Sequence, residues 1–301
     1  MRISVVVPTL DGREHLGATL DALAERVSAE VIVANGPSTD GTTGMVRERD
    51  DVDVLVEVSD RSPNVVRNAG IEVATGDVVA LVGQDLVVGE TWEAAVRDAL
   101  AAGPADAVTG PARRRLRGGA TVEEPDRERI GGQSVTHFDG RNVAFRRPAL
   151  DALDGFDEYL ETDGARDVAH RLAGLDRSVV WRSGMSARRE YGADGGHTPT
   201  DWGLTYRALA YQLVKNYGLR PGVVRRVGCR AGRDAVENAR AVVRGESVPT
   251  AWFGDGRRVV TGMAVGAKDG LAARARDRTP TRNPHGISSR LDRAVARYDW
   301  R

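Results

Sequence analysis

Residues 76–88 read GDVVALVGQDLVV, an apolar run interrupted by a short polar turn. Its first half, Val78 to Val82, is apolar and mostly β-branched without alternation. Such a run predicts a strand buried on both faces, as in a parallel sheet covered by helices. The turn places Asp85 at the carboxyl end of this strand, where open α/β sheets bind ligands. Asp85 is therefore the first candidate site residue, and an exposed turn aspartate is the alternative.

The residues before this stretch alternate between predicted strands and predicted helices. Ile3 to Val7 predicts a strand, and Asp11 to Arg26 predicts a helix with leucines at helical spacing. Further strands are predicted at Val31 to Ala34 and Val52 to Val58, with a helix from Thr42 between them. This alternation predicts βαβ units and an α/β fold with a mostly parallel sheet.

Composition limits the compartment and the membrane topology. The single cysteine, Cys229, excludes an intramolecular disulfide and a cysteine cluster for zinc, so a reducing compartment fits. No apolar run approaches the roughly 18 residues that a membrane-spanning helix needs, and no charged-then-apolar leader is present. We therefore expect a soluble or peripheral protein.

Charge is distributed unevenly along the chain. Residues 207–301 contain 18 arginines and two lysines against eight acids, although the whole chain has a net charge of zero. Helical periodicity after Trp202, interleaved arginines and the nearby Trp252 and Phe253 predict a basic amphipathic region, 201–301, that lies on an anionic membrane surface. The alternative is a solvated basic surface that pairs with the acidic half. No nucleic-acid-binding signature is present, so no nucleic acid partner is expected.

A series of short motifs follows a family pattern. The motifs are Pro8-Thr9, Asn35 to Thr42, Arg67 to Gly70, Gly76 to Asp85, Gly140 to Arg147, Leu153 to Glu158 and Asp167 to Leu172. Their order resembles the nucleotide-sugar-binding half of family 2 glycosyltransferases, including archaeal cell-surface glycosylation transferases. The resemblance covers about residues 1–185 and implies a GT-A fold, with a transferase domain over residues 1–200.

The resemblance also implies a donor site. In this family the loops after the first two strands hold the base and ribose, which here gives Pro8, Thr9 and Asn35. Arg67, a permanently charged planar donor, suits the diphosphate. The family usually has an Asp pair where this chain has Ala34 and Asn35. The expected donor is a UDP- or GDP-sugar.

The expected cofactor is Mg²⁺ or Mn²⁺. The family's Asp-x-Asp motif binds such a hard cation through oxygen, but here Gly83 replaces the first Asp and only Asp85 remains. His197, in a Gly-rich loop, is a second candidate ligand that reaches the metal or the diphosphate when the loop closes. A metal-free site in which arginines neutralise the diphosphate is the alternative.

The residues that usually supply the general base in this family are also replaced in this chain. Family members supply it from a Glu-Asp pair, and Gly164 and Ala165 occupy these positions. Asp163 is the first substitute, because its loop position lets it face the cleft, and Asp167 is the second. For Asp167 the alternatives are a helix cap or an ion pair with Arg171 four residues later.

The resemblance implies a hexosyltransferase that moves a sugar from a nucleotide diphosphate to an acceptor with inversion. The basic region suggests a lipid-linked or glycan acceptor and a cytoplasmic protein, peripheral on the inner face of the cell membrane. Gly83 and Ala165 favour an alternative, a catalytically impaired GT-A-fold subunit that binds or scaffolds within a glycosylation complex.

Overall fold

The computed structural model describes residues 1–101, 103, 105–113, 126–189, 201–243 and 249–301. The strands are β1 Ile3–Thr9, β2 Glu30–Asn35, β3 Val54–Val58, β4 Val78–Val82, β5 Leu86–Val88, β6 Ala107–Thr109, β7 Ala112–Arg113, β8 Arg127–Ile130, β9 Gln133–Thr136, β10 Asn142–Arg146, β11 Val179–Trp181, β12 Ala187–Arg189 and β13 Ala294–Asp299. The helices are α1 Arg13–Arg26, α2 Thr42–Arg47, α3 Pro63–Val73, α4 Trp92–Ala101, α5 Arg147–Leu153, α6 Gly164–Gly174, α7 Trp202–Tyr217, α8 Pro221–Val243 and α9 Pro249–Arg276.

The main sheet has eight strands in the order β11-β6-β10-β4-β1-β2-β3-β13. The predicted parallel arrangement is confirmed for β1 to β4, in which β1 pairs with both β2 and β4. Strands β10 and β13 run antiparallel to their neighbours. A smaller sheet, β5-β12-β7, and the hairpin β8–β9 lie apart from it. The carboxyl ends of β1 and β4 therefore meet at one edge of the sheet.

Helices cover both faces of this sheet. Every residue of β4 is buried, and adjacent residues of β1 enter two different cores, Val6 on one face and Val5 and Val7 on the other. This confirms the prediction from the unalternating apolar run, because a strand covered on both faces has no polar side.

The C-terminal residues complete this same core. Tyr206, Leu213 and Tyr217 of α7 pack into the cluster that includes Val6 of β1, and β13 forms the sheet edge beside β3. Residues on both sides of position 201 therefore contribute to one core, and the division of the chain at this position stays a prediction.

Helix α9 lies against α7 through a row of glycines. A Cβ added at Gly262 would lie 2.3 Å from the carbonyl oxygen of Gly203, and one at Gly266 would lie 2.1 Å from that of Arg207. Because only glycine permits this approach, the packing requires these residues. Helices α8 and α9 expose Val224, Val236 and Val260. No helix in the described ranges is long and apolar enough to cross a membrane.

Candidate functional site

A cavity of about 330 Å³ opens at the carboxyl ends of β1 and β4. Four of the five predicted donor residues line it: Pro8, Thr9, Arg67 and Asp85. Larger cavities lie among the C-terminal helices, but this one is at the edge where an α/β sheet binds ligands. The structure thus brings together residues that are far apart in the sequence.

Gln84 holds the first loop of the cavity against β4. Its Oε1 accepts hydrogen bonds from the Thr9 hydroxyl (2.6 Å) and from the backbone N–H of Leu10 (2.8 Å). A threonine hydroxyl that donates in this way can still accept a hydrogen bond from a ligand. Gln84 therefore fixes the loop, a role that the sequence analysis missed.

Asn35 does not line the cavity, and its contact with the donor stays a prediction. Its side chain is 1% exposed. The amide Nδ2 donates to Thr43 Oγ1 (2.8 Å), and Oδ1 accepts from the Ser38 hydroxyl (2.7 Å). Both polar groups are thus used to order the loop that follows β2.

Asp85 is held by arginines. Its Oδ2 accepts from Arg189, and Arg141 Nη1 lies 3.6 Å away from the same oxygen. The side chain of Asp85 is 12% exposed. Arg189 lies on β12, which pairs antiparallel with β5 so that Arg189 is opposite Leu86. The pairing of these two strands, which are distant in sequence, places the arginine beside the carboxylate.

Arg141 occupies the space next to the missing carboxylate. A Cβ added at Gly83 would lie 3.0 Å from the Cβ of Arg141 and 3.2 Å from Asp85 Oδ1. The first position of the Asp-x-Asp motif is therefore replaced by a glycine against which an arginine packs. Asp139 orients this arginine through a hydrogen bond of 2.7 Å from Nη2.

Arg67 is another of the arginines that line the cavity. Its Nη1 donates to Asn64 Oδ1 at 2.8 Å, while its Nε is buried without a hydrogen-bond partner. Burial lowers the pKa of Arg67 to about 10, against the opposing effect of Asp139 and with a further lowering from Arg141. The guanidinium stays protonated at neutral pH, and its unpaired N–H suits an anionic ligand.

The described residues do not fit a divalent cation by themselves. Among those that line the cavity, Asp85 is the only carboxylate, whereas Arg61, Arg67, Arg141 and Arg189 supply positive charge. Mg²⁺ and Mn²⁺ prefer several oxygen ligands, and Asp85 Oδ2 already accepts from Arg189. His197, the other predicted metal ligand, lies outside the described residues. The cavity is instead suited to a diphosphate.

The N-terminus of α6 approaches the cavity wall. A Cβ added at Gly140 would lie 2.9 Å from the Cβ of Ala165 and 3.8 Å from Arg67 Nη2. Asp163 occupies the N-cap position of this helix with a φ of 58°, and its side chain makes no capping hydrogen bond. Its side chain is half-buried and makes no hydrogen bond or ion pair with any described residue. Asp163 is not among the residues that line the cavity, and its role as a base stays a prediction.

Asp167 is not available, and its assignment as a base is corrected. Its side chain is fully buried, and its oxygens bind Arg171 Nε (2.7 Å), Lys215 Nζ (2.7 Å) and Asn216 Nδ2 (3.0 Å). Burial alone would raise the pKa of Asp167, but Lys215 and Arg171 lower it to about 2. The predicted ion pair with Arg171 is confirmed, and the residue is structural.

Comparison with known proteins decides the family. The model for Glycosyl transferase family 2 matches residues 4–154, which is half of the chain. The chain belongs to glycosyl transferase family 2. This family 2 chain is 26% identical to glycosyltransferase AglE of Haloferax volcanii over 98 residues, which cover 30% of the chain and 32% of AglE.

Solved structures share a similar fold. S. aureus TarS, residues 1–349, superposes with a TM-score of 0.54 and 19% identity over 71% of this chain and 65% of that chain. The same TarS fragment in complex with UDP-GlcNAc superposes with a TM-score of 0.54 and 19% sequence identity. The match covers 71% of this chain and 66% of the fragment. At this identity the likeness shows the fold, and the predicted GT-A fold is confirmed. The chain matches about a third of AglE and about two thirds of the TarS fragment.

Proposed function

We propose that this protein transfers a sugar from a UDP- or GDP-sugar to an acceptor at the cavity that opens at the carboxyl ends of β1 and β4. The observation that carries the proposal is the group of arginines around Asp85, at the sheet edge where nucleotide ligands bind. Guanidinium groups bind phosphate oxygens bidentately and keep their charge. Membership of family 2 supports the same reaction.

The arginines act on the leaving group. As the bond between the anomeric carbon and the diphosphate oxygen breaks, its electron pair leaves with the nucleoside diphosphate. Arg67, Arg141 and Arg189 stabilise the negative charge that develops there, because preorganised donors in a partly buried site are most effective against developing charge. In this proposal the ion pair of Asp85 with Arg189 yields to the diphosphate.

Asp163 is the proposed general base. The acceptor hydroxyl attacks the anomeric carbon on the face opposite the diphosphate and passes its proton to the Asp163 carboxylate, so the configuration inverts. What supports this role is the unpaired side chain of Asp163 at the start of α6. The first turn of α6 lies beside Gly140, where an added Cβ would lie 2.9 Å from the Cβ of Ala165, and Gly140 precedes Arg141 of the cavity. The hydroxyl oxygen gains the sugar, and the carboxylate gains the proton.

We further propose that the acceptor is lipid-linked and that the protein binds the inner face of the membrane peripherally. Support comes from α8, which carries arginines such as Arg225, Arg230 and Arg233 and exposes Val224. Basic helices with exposed apolar residues bind anionic lipid surfaces. Sedimentation with vesicles of anionic phospholipid, but not with neutral vesicles, is expected at low salt. Equal sedimentation with both would contradict the proposal.

The test of the donor site is a calorimetric titration of UDP and of GDP into the protein in EDTA. One nucleotide should bind, and Arg67→Ala should weaken it by roughly 10–150-fold, since a hydrogen bond to a charged group contributes about 1.5–3 kcal/mol. Arg177→Ala is the control, because Arg177 is an exposed arginine paired with Asp106. Binding of neither nucleotide, with or without Mn²⁺, would overturn the proposal.

Turnover separates the proposed enzyme from its alternative. Gly83 and Ala165, in place of the family's acidic residues, favour a subunit that binds nucleotide but transfers nothing. Release of UDP or GDP from the matching sugar nucleotide would be measured over time. Slow release that depends on Asp163 supports the transferase, and binding without any release supports the scaffold.

A further inference from the structure

A second group of metal-binding side chains lies outside the donor cavity. Glu128 comes from β8, His137 follows β9, and His170 is on α6. One potential ligand atom from each lies within 4.8 Å of the others. None of the three lines the donor cavity.

His137 is the least satisfied member of this group. It is 5% exposed, and neither of its ring nitrogens has a hydrogen-bond partner. Its Nε2 lies 3.7 Å from Glu128 Oε1, which is too long for a hydrogen bond. Buried polar groups without partners are rare in folded proteins and cost free energy. A buried imidazole without a hydrogen bond, beside a carboxylate and a second imidazole, is an arrangement that suits a bound cation.

The other two members are held by outer partners. The His170 Nδ1 lies 2.9 Å from the Tyr217 hydroxyl, so its Nε2 is left for a metal. Glu128 Oε2 accepts from Arg226, which leaves Oε1 on the side of His137. Metal-binding histidines and carboxylates are usually oriented by hydrogen bonds of this kind. Glu128, His170 and their partners thus resemble an organised ligand set.

We propose that Glu128, His137 and His170 bind a divalent transition metal, with Zn²⁺ as the best fit. Two imidazoles and one carboxylate suit zinc, whereas Mg²⁺ and Ca²⁺ prefer oxygen ligands alone. Tetrahedral ligands at about 2.0–2.1 Å from zinc are roughly 3.4 Å apart, close to the 3.7 Å between Glu128 Oε1 and His137 Nε2. Small shifts of the side chains would complete the site.

A route from solvent reaches this group. A cavity of about 520 Å³ is lined by Glu128 and His170 together with residues of α7 and α8. A three-ligand zinc site keeps its fourth position for water or another ligand, and this cavity provides it. The metal would tie the β8–β9 hairpin to α6. Through Tyr217 it would tie both to α7.

The experiment uses the full chain without a polyhistidine tag, stripped of metal by a chelator. Zn²⁺ is titrated by calorimetry, and Co²⁺ is titrated by its visible absorption, which reports tetrahedral coordination directly. Wild type should bind Zn²⁺ stoichiometrically, and Mg²⁺ should not displace it. His137→Gln and His170→Gln should weaken binding by more than about 100-fold, and Tyr217→Phe by about 10–100-fold, the usual cost of losing an outer hydrogen bond.

His285→Gln is the matched control, since His285 lies beside Tyr159 and away from the three ligands. It should bind Zn²⁺ as wild type does. Absence of Zn²⁺ and Co²⁺ binding by the folded wild type would overturn the proposal, whatever the variants do. Wild-type affinity in folded His137→Gln and His170→Gln would also overturn it. Circular dichroism establishes folding, and Glu128→Gln serves where a histidine variant does not fold.

Discussion

The buried ion cluster around Lys215 gives the sharpest prediction about stability. The ammonium of Lys215 lies 2.6 Å from Asp157 Oδ2 and 2.7 Å from Asp167 Oδ1, and all three side chains are fully buried. The cluster joins α7 to α6 and to the loop before it. Lys215→Met keeps most of the apolar volume of the side chain but removes its charge.

The two carboxylates would then be left in the core with fewer partners. Asp167 would keep Arg171 and Asn216. Among the described residues, Asp157 would keep the Tyr211 hydroxyl as its one side-chain partner, besides local backbone. Removing one member of a buried ion pair costs about 3–5 kcal/mol, because the remaining charge is uncompensated. That is a large share of the roughly 5–15 kcal/mol by which a domain is stable.

Urea unfolding followed by circular dichroism measures this loss as a lower transition midpoint. Lys268→Met is the control, because Lys268 is the other lysine of the chain and is exposed on α9. Its free energy of unfolding should change by no more than about 0.5 kcal/mol. If Lys215→Met also stays within that range, the buried cluster does not hold α7 to the transferase core as described.

The remaining predictions concern pH, the base and the metal motif. The pKa of Asp167 is lowered to about 2 in the folded protein, below its unfolded value of about 3.9. The extra free energy of unfolding that wild type has over Asp167→Asn should therefore be fully present above about pH 4 and be lost as pH falls toward 2. Urea unfolding midpoints of both proteins, measured across this pH range, test this. Asp163→Asn should lower sugar transfer by about 10²–10⁴-fold with donor affinity unchanged, because asparagine accepts the same positive φ. The control is Asp176→Asn, since Asp176 is an exposed aspartate with a φ of 54° just past the other end of α6. Equal rates of sugar transfer in the two variants would show that Asp163 is not the base. Gly83→Asp should restore part of the Asp-x-Asp motif beside Arg141, so UDP or GDP binding should become weaker in EDTA and recover with Mn²⁺; calorimetry that finds no metal dependence would contradict this.

The sequence predicts the core of this fold because its signals are local. The unalternating run from Val78 to Val82 and the spacing of the elements before it determine a parallel sheet. The antiparallel edge strand β13 is different. Strand β13 comes from the far end of the chain and pairs with β3. No local pattern in its Arg-rich segment predicts which edge of the sheet it joins.

The candidate site divides in the same way. Strand order alone brings together the residues that lie at the ends of strands or in the first turns of helices. These are Pro8, Thr9, Arg67 and Asp85. Arg189 reaches Asp85 only because β12 pairs with β5. The resemblance suggests Asn35 for the donor, and Asp167 is a predicted substitute for the family's base, but the side chains of both are already bonded inside the protein. Whether a polar side chain faces the cavity depends on contacts that spacing does not encode.

The most direct test of the account is a calorimetric titration of UDP and GDP into wild type and Asp85→Asn, in EDTA and in Mn²⁺. In the proposed mechanism, arginines and not a cation on Asp85 receive the diphosphate. Binding in EDTA should therefore be kept or tightened in Asp85→Asn, because Arg189 and Arg141 lose their competing carboxylate. Binding that requires Mn²⁺ and disappears in Asp85→Asn would contradict it.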